Sequence, residues 1–296
     1  MRESGSPYVR VPAVVKTLFD AFPLKLYPAA PLPNTTAGAT SDNRMATVFV
    51  ESASETSIYP ESIRLITLLK MAKVYQNVSV VEASVHSAPE TESLPYIYRA
   101  KQHKLGMKLP RAIPSDGPVF LSFLSAVSSS GVATYNEARD APYLALVDVD
   151  LRHAFLFTVY HIPENYRRFV VPMHAALSGK VLAETLASSA RKKAREVLEK
   201  SIGTTDVMNP AVQESIYDSA ESALDALQDL LTESDGMYLS GTDTPGVVDA
   251  ALFSYLWPSL QLGFTDQGNP ARLYDMVQGR KLLVEYVESI RRSCNL

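Results

Sequence analysis

Tyr238-Leu-Ser-Gly-Thr-Asp-Thr-Pro-Gly-Val-Val-Asp-Ala-Ala-Leu-Phe-Ser-Tyr-Leu-Trp257 reads as a tight loop, a helix start and a buried helix. Thr242 to Gly246 is turn chemistry, and Pro245 and Gly246 break whatever precedes them. Val247, Val248, Ala250, Ala251, Leu252, Phe253, Leu256 and Trp257 are apolar on nearly all sides, which predicts a helix central to a helical core. Asp249 is the exception. With Gly246 as N-cap it stands at the third helical position, where a carboxylate reaches back to free backbone N–H groups and favours the positive end of the helix. This is a folding signal rather than a catalytic one.

Around that helix the chain reads as helical from Val119 onward. Leu121–Val127 and Ala138–Tyr160 are apolar and helical, and Pro163 is expected to end the second. Ser178–Ile202 is a long helix with Gly203 as its stop. Asn209–Thr232 opens on Asn-Pro, a good N-cap and first-turn pair. A last helix runs from Gly279 to Cys294. Residues 45–118 follow another pattern. Ala46-Thr-Val-Phe-Val50 is a strand of β-branched and aromatic residues. Pro60 to Tyr75 has helical spacing, Asn77-Val-Ser-Val-Val-Glu82 alternates as a second strand, and Leu94-Pro-Tyr-Ile-Tyr98 opens a third. Residues 99–117 read as irregular, and a fourth strand is hard to place there. Residues 1–44 form an extension. Its short helix candidate, Val11 to Asp20, puts Val11, Val14, Val15, Leu18, Phe19 and Phe22 on one face, and a linker rich in Pro, Ala, Thr, Gly and Ser follows.

Composition narrows the function classes. Hydrophobic residues make up 46% and charged residues 20% of 296, the balance of a soluble globular protein. A net charge of −4 argues against nucleic acid, which needs a concentrated positive field. The single cysteine, Cys294, excludes an internal disulfide and favours a reducing compartment. Arg291 and Arg292 beside it predict a somewhat lowered thiol pKa. The sequons at Asn34 and Asn77 are therefore not expected to be used. The most apolar run, Ala154–Ile162, falls far short of the ~18 residues a transmembrane helix requires. The first residues lack the apolar centre of a secretory signal, and Glu3 and the prolines argue against a cleaved transit peptide.

Strand, helix, strand, loop, Leu94-Pro95 and strand is the order of a thioredoxin-like domain, in which that proline is typically cis. Followed by an all-helical half, it resembles the glutathione-transferase architecture. The resemblance points further, to the metaxin branch of that fold. It rests on Phe22-Pro-Leu-Lys-Leu-Tyr-Pro28, Leu94-Pro-Tyr-Ile97, Tyr166-Arg-Arg-Phe-Val-Val-Pro-Met-His-Ala-Ala-Leu177 and the Tyr238–Leu256 stretch, with Pro245, Asp249, Ala250, Phe253 and Leu256 in place. The order of these segments carries the likeness; no single one is specific. Where the family often has Thr or Ser, this chain has Gly246, so half of the capping box is missing, although glycine remains an acceptable N-cap. The expected organisation is an N-terminal extension at 1–44, a thioredoxin-like domain at 45–118 and an all-helical domain at 119–296. Leu94, Pro95, Gly246 and Asp249 are its structural marks.

An enzyme of this architecture needs a hydroxyl or thiol after the first strand to stabilise the glutathione thiolate, and a Ser after the fourth strand at a helix N-terminus. Glu51, Ser52, Ala53 and Ser54 follow Val50, and the charge of Glu51 opposes thiolate formation. No Glu-Ser or Gln-Ser pair followed by a small residue appears after residue 98. Gly-x-Ser-x-Gly, a glycine-rich phosphate loop and His-Glu-x-x-His are absent. His86, His103, His153, His161 and His174 are scattered; His153 and His161 can share a helix face, but no carboxylate completes a metal set. No catalytic residue, cofactor or metal is expected.

Arg191-Lys-Lys-Ala-Arg195 is the one dense basic cluster. Glu196 and Glu199 stand four residues after Lys192 and Arg195, so a solvated, partly neutralised face is the plain reading. Contact with anionic lipid or an acidic partner is the functional one, with Arg191, Lys192 and Arg195 as its residues and Leu18, Phe19 and Phe22 of the extension as further partner-binding candidates. The metaxin resemblance implies a non-enzymatic peripheral subunit of the mitochondrial outer-membrane sorting and assembly machinery, on the cytosolic face. Its partners would be the membrane-embedded barrel subunit, a second metaxin-like subunit and β-barrel precursors, with no nucleic acid. The alternative is a divergent glutathione-dependent transferase. A third reading, an accessory module of a translation complex, would require a basic partner that nothing in the extension suggests.

Overall fold

The computed structural model describes residues 46–53, 57–83, 94–98, 112–114, 136–178, 180–234, 237–239, 241, 243–263 and 272–296. The extension at 1–44, with Leu18, Phe19 and Phe22, and the helix expected at Leu121–Val127 lie outside them. Asn43–Leu296 forms one compact unit.

Strand β1 (Ala46–Val50) is the middle of a four-stranded sheet of order β2-β1-β3-β4. It pairs parallel with β2 (Val78–Glu82), with Ala46 opposite Val78 and Val50 opposite Glu82. On its other side it pairs antiparallel with β3 (Tyr96–Tyr98), Phe49 facing Tyr96. Every residue of β1 is buried, as befits a strand covered on both faces. The odd and even side chains separate accordingly. Ala46, Val48 and Val50 enter the main core, whereas Phe49 stacks on Tyr96 at 4.7 Å in a small second cluster with Leu94.

The fourth strand, β4 (Ala112–Pro114), lies in the stretch predicted to be irregular, paired antiparallel with β3. Three residues are too few for a readable alternation, and a proline is tolerated because β4 is an edge strand. Helix α1 (Pro60–Met71) crosses from β1 to β2. It ends four residues before the predicted limit. Lys73 takes a positive φ of 56°, and Tyr75–Asn77 is a separate 3-10 turn. The Leu94–Pro95 bond is cis.

A continuous helical stretch covers 137–161. It consists of α2 (Glu137–Ala145), a π-helical run at Leu146–Leu151, α3 (Arg152–Leu156) and a second π-helical run at Phe157–His161. Pro163 was expected only to end this helix; it also opens the next. Ile162 is extended and Pro163 takes the first helical position of α4 (Pro163–Asn165), where its fixed φ fits and no donor is missed. A third π-helical run at Tyr166–Val170 and α5 (Val171–Ser178) follow, so the Tyr166–Leu177 stretch is itself helical.

Helix α6 (Lys180–Ile202) packs against α5, with the Arg191 guanidinium 5.0 Å above the Tyr166 ring. Gly203, at φ 74°, closes it in the left-handed conformation that glycine adopts without a Cβ penalty. Helix α7 (Pro210–Glu233) is capped by Asn209, whose side chain accepts from the Ala211 N–H at 2.9 Å.

Helix α8 (Val247–Gln261) is the centre of the molecule. Only Trp257, Leu260 and Gln261 of its residues escape full burial, and it lies against α1, the π-helical run after α2, α9 (Arg272–Gln278) and α10 (Lys281–Cys294). Helix α9 is separate from α10 and precedes the one helix expected at Gly279–Cys294. Leu283, Tyr286, Val287 and Ile290 are the buried stripe of α10, at the three- and four-residue steps of an amphipathic helix.

Candidate functional site

The C-terminal ends of β1 and β2, the cis Leu94–Pro95 entry to β3 and the first turn of α1 meet at one edge of the sheet, and α8 closes it from the helical side. This is where the sequence places Glu51, Ser52 and Ala53. A cavity of about 30 Å³ lies there, lined by Ser52, Ala53, Ile63, Ile66, Phe253, Trp257 and Leu296. It has room for a water or two, whereas small-molecule sites run to roughly 300–1,000 Å³.

Glu51 is 9% exposed. Its carboxylate accepts a very short hydrogen bond from the Ser62 hydroxyl, and its own N–H donates to Ser62 Oγ at 3.3 Å. Ser62, fully buried, is the third residue of α1, so strand end and helix start are joined through two side chains. Burial pushes the Glu51 carboxyl up to about 7, against the lowering effect of the Ser62 donor. Burial, reinforced by the charge of Glu51, holds the neighbouring Tyr59 phenol above its usual range. Across the strand pair, Glu82 accepts from the Ala53 N–H at 2.9 Å and, more distantly, from the Ser52 hydroxyl at 3.5 Å. Ser52 thus stands beside the Glu82 carboxyl group. A thiolate placed beside it would meet negative charge, the reverse of what lowers a thiol pKa.

The second polar centre is Asp249, fully buried at the start of α8. Its Oδ2 accepts from the Gly246 N–H at 2.6 Å, the one half of a capping box that a glycine N-cap permits. Its Oδ1 accepts from the Leu239 N–H at 2.9 Å and from the Tyr286 hydroxyl at 2.6 Å. The carboxylate therefore ties the 238–246 loop to α8 and α8 to α10. Burial raises its pKa, and the donors, Tyr286 foremost, offset part of that rise. Burial and the Asp249 charge push the Tyr286 phenol well above its usual range.

The basic cluster is divided by its partners. Arg191 turns inward, over Tyr166, and reaches the His161 carbonyl at 3.5 Å. Lys192 pairs with Glu196 at 3.8 Å and Arg195 with Glu199 at 2.7 Å. His161 is a core residue, 3% exposed and stacked on Phe157 at 5.7 Å. Burial, then Arg191 and Arg195, lowers its pKa to about 4. Cys294 corrects the sequence expectation: burial raises its pKa rather than the arginines lowering it, because Arg291 sits over the Trp257 ring and pairs with Glu288. Among the described residues no group of three metal-ligating side chains occurs, and no helix is long and apolar enough to cross a membrane.

Ser62, Glu82, Leu239 and Tyr286 were missed by sequence reasoning. Each acts through a partner at least ten residues away, and no local spacing signals such a pair.

Residues 220–290 match the family described as glutathione S-transferase, C-terminal domain. That span covers most of α7 through most of α10. No curated protein matches the chain. Among solved structures, a glutathione S-transferase of Ceriporiopsis subvermispora crystallised with glutathione is similar at 10% identity, covering 84% of this chain and 98% of that one, with a TM-score of 0.52. Glutathione transferase Omega 2C of Trametes versicolor is similar at 14% identity, covering 85% and 92%, with a TM-score of 0.46. This chain has a glutathione-transferase-like fold: a small thioredoxin-like sheet followed by a helical C-terminal domain.

Proposed function

We propose that this chain is a non-enzymatic, peripheral subunit of the mitochondrial outer-membrane sorting and assembly machinery, held on the cytosolic face. There it uses its fold as a rigid platform, stabilising the membrane-embedded barrel subunit or engaging the β-signal of a β-barrel precursor, beside a second metaxin-like subunit. The metaxin resemblance supplies this assignment.

The observation that carries the non-enzymatic part is the Glu51–Ser52–Glu82 edge. Transferase chemistry needs a donor and a positive field for a thiolate. Here Glu51 is committed to Ser62, Ser52 lies beside the Glu82 carboxyl group, and the cavity beside them has room for only a water or two. The buried Asp249 is likewise committed to joining three segments.

The test is a mild-detergent pull-down of the tagged chain from mitochondria, with the bound proteins identified. Recovery of an outer-membrane β-barrel together with a second metaxin-like protein is the expected result. Recovery of neither, with retention of the chain on immobilised glutathione, would transfer the assignment to a divergent glutathione-dependent transferase.

A further inference from the structure

The two edges of the sheet are not alike. At one edge β4 is three residues long and ends in Pro114, which has no N–H to offer. At the other edge β2 runs five residues, Val78-Ser-Val-Val-Glu82, in unbroken register with β1 from Ala46 opposite Val78 to Val50 opposite Glu82. It carries no proline, lysine or bulge, the devices that ordinarily blunt an edge. Among the described residues no strand lies on its outer side.

The ladder shows which backbone groups this leaves open. In a parallel pair, alternate residues of a strand address the same neighbour. Ala83 donates its N–H to the Val50 carbonyl at 2.8 Å, so Ser79 and Val81 also turn to β1, and Val78, Val80 and Glu82 turn outward. The Val78 N–H is taken by the Tyr75 carbonyl of the 3-10 turn. The Val78 carbonyl, both backbone groups of Val80 and the Glu82 N–H remain, and among the described residues nothing pairs with them. Another extended backbone presents acceptors and donors at that spacing, whereas a helix has already spent its own.

The side chains narrow the occupant. Val80 packs on the main core and Val81 on the small Phe49–Tyr96 cluster, both half-buried, so each face of β2 is apolar and incompletely covered. A strand laid beside β2 completes both coverings if its residues are β-branched or otherwise apolar. Glu82 is exposed, and among the described residues no basic side chain pairs with it, so a cation suits the end of the segment. Antiparallel pairing with β2 of a second copy, centred on Val80, sets Val78 opposite Glu82 and supplies no cation there.

We propose that the outer edge of β2 accepts an extended segment of a partner polypeptide as a fifth strand, apolar along its length and basic where it passes Glu82. The inference deepens the reading in which the chain engages the β-signal of a precursor, and rests on that reading for the source of the segment. Its test needs neither mitochondria nor the barrel subunit, so its failure and the failure of the pull-down are separate results.

The probe is a short fluorescein-labelled peptide that alternates valine and threonine and carries a lysine at each end, titrated against the full chain by fluorescence anisotropy. Binding is expected, with amide exchange slowed across Val78–Glu82. Each backbone hydrogen bond is worth about two- to tenfold in affinity, so N-methylation of the central amides of the peptide should weaken binding by more than about tenfold. Val80→Pro removes an outward N–H from the chain at a position where no bond is lost, and should weaken binding by about two- to tenfold. Glu82→Gln still accepts from the Ala53 N–H but removes the charge, and should abolish the salt dependence of binding. Melting temperatures show whether the variants keep the fold; if Val80→Pro does not, the methylated peptide decides alone. Absence of binding, equal binding of the methylated peptide, or exchange protection confined to residues outside Val78–Glu82 overturns the proposal. So does a dimer of the parent chain in sedimentation that Val80→Pro dissociates, because a second copy then covers the edge.

Discussion

Tyr286 donates its hydroxyl to Asp249 Oδ1 at 2.6 Å although 37 residues separate them. The bond joins the first turn of α8 to the middle of α10, and both residues are buried. Asp249 also holds the Gly246 and Leu239 N–H groups. A local cap has become the junction of three segments.

Asp249→Ala is therefore expected to cost more than a lost N-cap. It leaves three buried donors unsatisfied, so a loss of roughly 3–5 kcal/mol is expected where a cap alone is worth about 1 kcal/mol. Tyr286→Phe removes one of those donors and should cost about 1–3 kcal/mol. In a double-mutant cycle by urea unfolding, Tyr286→Phe should cost little once Asp249 is gone. Additive losses would mean that the two side chains act independently.

Glu51 gives stability a pH dependence of definite sign. Its folded pKa is raised from 4.5 to about 7. The preference of the folded state for the protonated form is thus fully present below pH 4.5 and is lost as pH rises through about 7. At about 1.4 kcal/mol per unit the largest loss is about 3.5 kcal/mol. Glu51→Gln, permanently neutral and still able to accept from Ser62, should match the parent well below pH 4.5 and exceed it above pH 7. Urea melts across that range check this; a constant difference between the two proteins would refute the burial argument.

Arg64 of α1 holds Asp148 of the helical part through contacts of 2.9 and 3.1 Å to its two oxygens. The side chains are 23% and 38% exposed, so solvent screens the pair. A double-mutant cycle between Arg64→Ala and Asp148→Ala should return a coupling of only about 0.5–1 kcal/mol, smaller still at high salt. A coupling of several kcal/mol would show that the interface is held by charge rather than by the apolar packing of α1 against α8.

Cys294 should react slowly with a thiol reagent at neutral pH. It is 6% exposed, and burial raises its pKa. Modification is expected to follow opening of α10 and to accelerate in the Tyr286→Phe variant, which loosens that helix. Immediate labelling of the native chain would contradict the buried placement.

Much of the fold is legible because its cues are local. Asn209 before Pro210, Gly203 after Ile202 and the all-apolar run of α8 each declare a helix end or a buried helix within a few residues. The cues mislead where one residue serves two elements, as Pro163 does, or where an element is too short for a period, as β4 is. At the candidate site the sequence supplies Glu51, Ser52 and the suspicion that Glu51 opposes a thiolate. It does not supply Ser62 or Glu82, which come from a helix and a neighbouring strand.

The sequence by itself thus determined the order of β1, α1, β2 and β3, the long helices α6, α7, α8 and α10, the capping carboxylate at Asp249 and the central place of α8, because backbone capping and hydrophobic periodicity act over one or two turns. Only the tertiary structure decided that Asp249 meets Tyr286, that Glu51 is buried against Ser62 near neutral pKa, and that Cys294 is shielded rather than activated. Those outcomes depend on desolvation and on partners brought together from distant parts of the chain, and both exist only once the helices have packed.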